Sequence, residues 1–384
     1  MSRLLAFVSA AALLATPVAA QSVNRTTVNG IIDQGLNHSQ VMQTAAYLTD
    51  RIGGRMTNSP QMREAERWAQ QQFRDYGLSD VRAEGFEFGR GWSIVRSSAR
   101  MTAPRPLDLR AIPVAWTPGT NGLVSGDVMM FDVNTVSDLA QYAGKLKGKI
   151  LLMGEDLKIE PPKTVIFERL SAKTLGDLKD YEVGARASYQ SFMTKALRDS
   201  RMQSYQFNKA LNAFLEKEQV AGVIYRSSRQ GGLVRVFGKS HKQGETFPVP
   251  AIIIEQEDYS LLTRMLDRKE QPKLALDIKA KFHDDDMKSY NTIAEIPGTD
   301  PKAGYVMAGA HLDSWVASDG AADNAAGSAV VMEAARILKA LNVKPKRTIR
   351  FALWNGEEQG ILGSLAYVDR HLATRAASND PALA

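Results

Sequence analysis

The clearest alternation of apolar and polar positions lies towards the end of the chain. Residues 305–310 form a short apolar run bounded by glycines, which is typical of a buried parallel strand. Residues 327–341 place their apolar side chains on one helical face, and residues 347–354 alternate, with Ile349 and Leu353 on the same side. Strand, helix and strand in this order predict a βαβ unit with a right-handed crossover, and therefore an α/β fold.

Two further regions have patterns of their own. Residues 38–76 show helical apolar spacing, and Gly53 and Gly54 predict a turn between two helices there. Residues 104–279 contain polar loops, a long charged stretch that predicts a helix, and short β-rich stretches at residues 148–153, 220–225 and 248–254. We interpret residues 104–279 as a β-rich domain inserted into a main domain that residues 21–103 and 280–384 form together.

The first twenty residues differ from the rest of the chain. Arg3 precedes an apolar stretch from Leu4 to Leu14, and small residues at Val18, Ala19 and Ala20 follow. This pattern is typical of a secretory signal peptide, with cleavage expected after Ala20. The apolar stretch is shorter than the ~20 residues that a membrane-spanning helix needs. We therefore expect a periplasmic or secreted protein without a membrane anchor after cleavage.

Composition excludes several classes of function. The 384 residues are 44% hydrophobic and 23% charged, which is typical of a soluble globular protein, and they include no cysteine. A disulfide framework and a cysteine nucleophile are therefore excluded. The net charge is +6, but lysine and arginine are scattered and the tightest basic run, Lys344 to Arg347, falls in a predicted turn. We do not expect nucleic acid as a partner.

Candidate catalytic side chains follow the two predicted strands of the βαβ unit. His311 and Asp313 follow the first strand, Glu357 and Glu358 follow the second, and Asp323 precedes the helix between them. The carboxyl ends of parallel strands share one edge of a sheet, so these side chains should converge. Taken singly, Asp323 is more typical of a helix N-cap, and a Glu-Glu pair is more typical of an exposed helix start.

A group of carboxylates in one crevice favours a metal site. Like charges repel, and burial adds a desolvation penalty that a divalent cation removes. One imidazole with several carboxylates suits zinc, and a bridging carboxylate suits two zinc ions. Asp313, two residues beyond His311, is expected to accept a hydrogen bond from the imidazole nitrogen that faces away from the metal.

Three motifs resemble the co-catalytic di-zinc aminopeptidases. They are His-x-Asp at residues 311–313, Gly-Ala-x-Asp-Asn-x-x-Gly at 320–327 and Gly-Glu-Glu-x-Gly-x-x-Gly-Ser at 356–364. Within that family the sequence resembles the branch of plasma glutamate carboxypeptidase, or carboxypeptidase Q. The resemblance extends over nearly the whole mature chain. Residues 48–53 and 90–92 are similar to its N-terminal part, and residues 116–120 and 144–149 resemble a protease-associated domain.

The resemblance implies a fold and a role for each candidate. The fold would be the zinc-aminopeptidase (phosphorylase/hydrolase-like) mixed sheet flanked by helices, with an inserted protease-associated domain. His311 would bind one zinc, Glu358 the other, and Asp323 would bridge both. Glu357 would take a proton from a zinc-activated water and return it to the leaving amine. The family also has a cis peptide bond after the bridging aspartate, here between Asp323 and Asn324.

The resemblance also implies two further ligands, an Asp or Glu after the Glu-Glu pair and a His nearer the carboxyl end. Other residues could supply these two ligands, but none is expected to. His371 is expected on the surface, His283 in a solvated loop and Asp380 in an exposed tail. His38 and His241 have no convergent partners. We therefore expect a chain shortened at its carboxyl end, with an incomplete peptidase domain and little activity.

Two function classes follow. One is a metal-dependent exopeptidase acting on dipeptides or short peptides, and the other is a catalytically inactive binding protein on the same fold. A single-zinc acyl transferase is disfavoured by the Asp-Asn motif. Peptides are the expected partners in the first case, and a homodimer is possible.

Overall fold

The computed structural model describes residues 24–156, 169–177 and 195–372. The predicted signal peptide and Asp380 lie outside these residues. Two sheets contain the strands β1 (Ser79–Glu87), β2 (Gly91–Ala103), β3 (Leu107–Asp108), β4 (Ala111–Pro113), β5 (Val124–Phe131), β6 (Ile150–Met153), β7 (Gly222–Arg226), β8 (Ala251–Ile254), β9 (Lys273–His283), β10 (Lys288–Ile296), β11 (Tyr305–His311) and β12 (Thr348–Trp354).

The α-helices flank these sheets. They are α1 (Arg25–Asn37), α2 (Val41–Ala46), α3 (Pro60–Asp75), α4 (Ala172–Asp177), α5 (Lys195–Lys217), α6 (Gln256–Asp267), α7 (Ala326–Ala340) and α8 (Leu362–His371). Shorter helical turns of other types lie at Tyr47–Ile52, Val136–Tyr142, Pro301–Ala303 and Ala321–Ala325. Within the described part, no helix has both the length and the apolar character needed to cross a membrane.

The first sheet has four strands in the order β1-β10-β12-β11. β11 and β12 are parallel, in register from Tyr305 opposite Thr348 to His311 opposite Trp354, and α7 connects them. The predicted strand–helix–strand unit is therefore confirmed, and each predicted bound differs from the observed one by no more than one residue. Phe351 and Leu353 are buried beneath the helices, as the alternation predicts.

The N-terminal helices cover this sheet. α2 continues into the turn at Tyr47–Ile52, and Gly53 then reverses the chain with a φ of 79°. α3 begins after Ser59, whose hydroxyl accepts a hydrogen bond from the Met62 amide at 3.1 Å. Leu48 on the first helical segment and Phe73 on α3 are fully buried in the same core. The predicted pair of helices around the Gly-Gly turn is confirmed.

The second sheet has eight strands in the order β3-β2-β9-β5-β6-β7-β8-β4. Its central strands β5, β6, β7 and β8 are parallel, and β6, β7 and β8 are the three strands predicted in the insertion. β2 pairs with β9 from Gly91 opposite His283 to Ala103 opposite Lys273. The domain boundaries at residues 104 and 279 stay a prediction, but strand pairing joins Gly91–Ala103 to the eight-stranded sheet.

Candidate metal centre

The candidate centre lies where β11 and β12 end. His311 is the last residue of β11 and stands opposite Trp354, the last residue of β12. The Leu312 amide donates to the Trp354 carbonyl at 2.8 Å, so the two chain segments leave the sheet side by side. Glu357 and Glu358 follow directly after β12. The parallel register therefore brings the histidine and both glutamates to one edge, as expected from the sequence.

Asp323 completes this group. Its Oδ1 lies 3.0 Å from His311 Nε2, and Glu357 Oε2 lies 3.8 Å from the same nitrogen. One ligand atom from each of His311, Asp323 and Glu358 fits within a mutual spacing of 4.8 Å. Histidine nitrogen and carboxylate oxygen are donors that zinc accepts, so the three side chains fit a zinc ion. The structure thus brings together the three ligands predicted from the sequence, with Glu357 beside them.

The turn before α7 gives Asp323 its position. The chain leaves helical geometry at Asp323, with φ −129° and ψ 90°, and the Asp323–Asn324 peptide bond is cis, as the resemblance implied. The Asn324 side chain accepts a hydrogen bond from the Gly327 amide at 3.0 Å. A Cβ atom at residue 327 would lie 2.3 Å from Asn324 Oδ1. Only glycine at position 327 therefore leaves room for the Asn324 carboxamide in its observed position.

A substitution at Gly327 tests this close approach. We expect Gly327→Ala to destabilise the fold by about 1–3 kcal/mol, because overcrowding outweighs the better helix propensity of alanine, and to weaken zinc binding. Gly35→Ala is the matched control, since a Cβ there meets nothing closer than Ile337 Cδ1 at 3.9 Å. Chemical denaturation and zinc titration would measure both effects. If Gly327→Ala and Gly35→Ala were equally stable, the close contact between residue 327 and Asn324 would not matter for stability.

Asp313 is fully buried beneath the centre. Its carboxylate accepts hydrogen bonds from the Glu357 amide at 3.3 Å, the Glu358 amide at 3.2 Å and the Thr57 hydroxyl at 3.0 Å. His311 Nδ1 lies 3.0 Å from the Asp313 carbonyl oxygen and 3.6 Å from carboxylate Oδ1. Asp313 thus lies beside the imidazole as expected, but its carbonyl oxygen is the nearer acceptor. The carboxylate chiefly holds the segment that carries both glutamates.

The charges of the centre favour a bound cation. Burial alone would lower the pKa of His311, but the hydrogen bond and charge of Asp313, with the charge of Glu357, raise it to about 9. Burial, together with the charges of the neighbouring carboxylates Asp323 and Asp313, raises the pKa of Glu358 to about 7. A divalent cation at these side chains would offset both the repulsion and the desolvation.

Arg55 is a structural residue of the centre that sequence reasoning missed. Its side chain is fully buried and donates five hydrogen bonds to main-chain carbonyl oxygens. These carbonyls belong to Leu48 at 2.9 Å, Gly53 at 2.7 Å, Leu312 at 3.0 Å, Asp319 at 2.8 Å and Gly320 at 3.0 Å. The guanidinium therefore ties the N-terminal Gly-Gly turn to the two segments that carry His311 and Asp323.

A buried polar network supports the segment after β12 and was also missed. The Asn355 side chain donates to Glu66 at 2.6 Å, and its amide donates to the Asn291 side chain at 3.1 Å. Asn291 in turn donates to the Gly363 carbonyl at 2.8 Å. Burial raises the pKa of Glu66 to about 7, although the charge of Arg63 opposes this rise. This network fixes both ends of the loop that contains Glu357 and Glu358.

The remaining histidines lie apart from the group. His371 is exposed, as expected, and lies 2.8 Å from a Glu84 carboxylate oxygen. The expectation that His283 lies in a solvated loop is wrong, because pairing with Gly91 makes it the last residue of β9, within 2.8 Å of the Ser93 hydroxyl. His241 stacks on Phe88, with ring centroids 4.2 Å apart.

Comparison with known proteins relates part of this chain to a family of peptidases. Residues 291–379 match the model of peptidase family M28. Carboxypeptidase Q of Mus musculus is 26% identical over 341 residues, which cover 88% of this chain and 63% of that protein. Carboxypeptidase Q of Homo sapiens is also 26% identical, over 88% of this chain and 62% of that protein. The chain thus spans less than two thirds of the length of these relatives.

Solved structures share the fold. The peptidase M28 precursor from Shewanella amazonensis SB2B is 25% identical, with a TM-score of 0.60, over 90% of this chain and 70% of that one. A zinc aminopeptidase from Bacillus subtilis is 21% identical, with a TM-score of 0.51, over 87% and 64% of the two chains. The expected mixed α/β architecture is therefore confirmed, and residues 291–379 of this chain are similar to peptidase family M28.

Proposed function

We propose that this chain is a zinc-dependent exopeptidase that hydrolyses dipeptides or short peptides. The observation that carries the proposal is the convergence of His311, Asp323 and Glu358 within 4.8 Å, beside the carboxylate of Glu357. The matched family and the similar carboxypeptidase Q and zinc aminopeptidase chains support it. The signal-like pattern in residues 1–20 supports export to the periplasm or the medium.

The proposed roles follow from the position of each side chain. When bound, zinc lowers the pKa of a water molecule and polarises a carbonyl group. His311 and Glu358 would hold separate ions, and Asp323, with two oxygens, would reach both. Glu357 is 39% exposed, so it can meet solvent and substrate while its amide stays bonded to Asp313. Its Oε2 would accept the proton of the attacking water and donate it to the leaving amine.

A catalytically inactive binding protein is the second candidate. The observation that favours it is the size of the group, because a pair of zinc ions needs more protein ligands than the three side chains that the described residues bring together. Zinc content and turnover, measured together on the same preparation, separate the two candidates.

The test begins with metal content. We expect the parent chain to bind zinc and any hydrolysis of dipeptides to depend on zinc, and Glu358→Gln to lower zinc affinity at least ~10-fold, because a ligand loses its charge. Glu216→Gln, at an exposed carboxylate on α5, is the control and should bind zinc like the parent. Elemental analysis and competition with a chelator would measure affinity.

Two results would change the proposal. Unaltered zinc affinity in Glu358→Gln would remove Glu358 from the ligand set. Tight zinc binding without hydrolysis of any dipeptide would favour the binding protein.

A further inference from the structure

A cavity of about 630 Å³ lies between α5 and the segment that joins β7 to β8, and its size suits a small molecule. Three polar residues of α5 line one side, and residues 237–240 and 244–247 line the other. The three polar residues are Asn208, Lys209 and Asn212. The metal ligands lie elsewhere, because Asp323 and Glu358 line a different cavity, which shares Phe237 with this one.

Lys239 lines this cavity with its amine among three aromatic rings. Its Nζ lies 4.5 Å from the ring centroid of Phe247, 4.7 Å from that of Tyr225 and 5.7 Å from that of Phe237. Phe247 is buried and Tyr225 is half-buried, whereas Phe237 is 36% exposed. Among the described residues, the Tyr225 hydroxyl, 2.8 Å from Nζ, is the hydrogen-bond partner of the amine.

No carboxylate of the described residues pairs with this amine. Glu245 lines the same cavity, but its carboxylate accepts a hydrogen bond from the Ser240 hydroxyl at 2.7 Å. The ring faces attract an ammonium group without supplying a counter-charge, and burial lowers the pKa of Lys239 from its ordinary 10.5 to about 8. About one tenth of the amine is therefore neutral at pH 7, and a neutral lysine in an apolar pocket is a nucleophile.

Tyr225 places a second reactive group beside the amine. Burial raises the pKa of Tyr225 above its ordinary value, so the hydroxyl stays protonated. A neutral hydroxyl in contact with Nζ can accept a proton from the amine while it donates its own proton to an oxygen atom in the cavity. The pair of Lys239 and Tyr225 thus has the groups that addition of an amine to a carbonyl group requires.

We propose that this cavity binds a small aldehyde, which Lys239 holds as an imine. Nζ forms a bond to the carbonyl carbon, and the carbonyl oxygen leaves as water with both protons of the neutral amine. The step therefore needs no oxidant or reductant. The rings of Phe237 and Phe247 suit an apolar ligand body, and the amide of Asn212 suits a polar substituent. This proposal does not depend on zinc or on peptide hydrolysis.

Labelling of the full chain with benzaldehyde tests the proposal. Sodium cyanoborohydride traps each imine, and peptide mapping by mass spectrometry gives the labelling rate at each lysine. At pH 7 we expect Lys239 to be labelled at least ~10-fold faster than Lys209, which is exposed and lines the same cavity. The rate at Lys239 should saturate with benzaldehyde concentration, because binding precedes reaction. The rate at Lys279, exposed on β9 outside the cavity, should rise linearly.

Two controls separate a binding site from a reactive amine. Benzyl alcohol resembles benzaldehyde in shape but has no carbonyl group, so it should slow labelling of Lys239 and leave Lys279 unaffected. Tyr225→Phe keeps the ring and removes the hydroxyl, and it should slow labelling of Lys239 at least ~10-fold. Circular dichroism checks its folding. If Tyr225→Phe does not fold, the measurements on the parent chain decide the proposal alone.

Fast, saturable labelling of Lys239 that benzyl alcohol slows would support the proposal. Equal rates at Lys239 and Lys209, a linear rate at Lys239, or no effect of benzyl alcohol would overturn it. An unchanged rate in folded Tyr225→Phe would contradict it as well. Lys239 would then be a structural residue that packs among the three rings.

Discussion

Replacing Glu357 with glutamine should leave zinc binding unchanged and slow dipeptide hydrolysis by roughly 10²- to 10⁴-fold. The substitution keeps the size of the side chain but removes its capacity to accept a proton. The Glu357 amide, which donates to Asp313 at 3.3 Å, is untouched, so the loop after β12 should keep its shape. The effect should fall on kcat, since the proton transfer occurs in the transition state.

Steady-state kinetics and elemental analysis on one preparation would check this expectation. Glu216→Gln again serves as the control, because it makes the same chemical change at an exposed site on α5. Hydrolysis at close to the parent rate would exclude Glu357 as the general base. Loss of zinc in Glu357→Gln would instead make Glu357 a ligand, which its 3.8 Å distance to His311 Nε2 permits sterically.

The convergence of the candidate side chains could be predicted from the sequence, because it follows from the parallel direction of the two strands that precede them. His311 and Glu357 lie far apart in the chain, but both follow strands whose apolar pattern predicts parallel pairing. The order β11, α7, β12 could be predicted from local periodicity and the short connections between these elements alone. Asp323 could be placed near the others because it directly precedes the connecting helix, although nothing in its neighbours distinguishes a ligand from a helix cap.

The partners of the long antiparallel strands were not predictable in the same way. β2 and β9 have residues 104 to 272 between them, and alternation along either strand does not identify the other. For this reason the sequence predicts a loop at His283, where the structure has the end of β9. Register across such a distance depends on tertiary packing, which one sequence without its relatives does not reveal.

The supporting residues were missed for a related reason. Asn355, Asn291 and Glu66 act through a buried network whose members come from a loop, a strand and a helix distant in sequence. A single asparagine or glutamate in a sequence is more typical of a surface position. Only burial shows that these polar groups are bonded to one another, and only their bonds show that they hold the loop with Glu357 and Glu358.

Arg55→Leu should have the largest effect on stability, with a loss of at least about 3 kcal/mol in the free energy of unfolding. Leucine would remove the guanidinium donor from five carbonyl oxygens, and those of Leu48 and Gly320 would keep only their amide donors, Gly53 and Ala325. Burial lowers the pKa of Arg55 to about 10, opposed by the charges of Asp313 and Asp319, so the side chain stays charged at neutral pH. Zinc affinity should fall as well, since the carbonyls of Leu312 and Gly320 flank His311 and Asp323 in their segments.

Two matched variants isolate the geometry of the guanidinium from its charge. Arg55→Lys keeps the charge but lacks the planar array of donors that reaches carbonyls on three segments, so it should recover little stability. Arg51→Leu removes an exposed arginine from the same turn and should change stability by no more than about 0.5 kcal/mol. Urea denaturation and zinc titration would measure all three variants. If Arg55→Lys matched the parent in both measurements, charge alone would hold the segments, and the hydrogen-bonded role of Arg55 would be wrong.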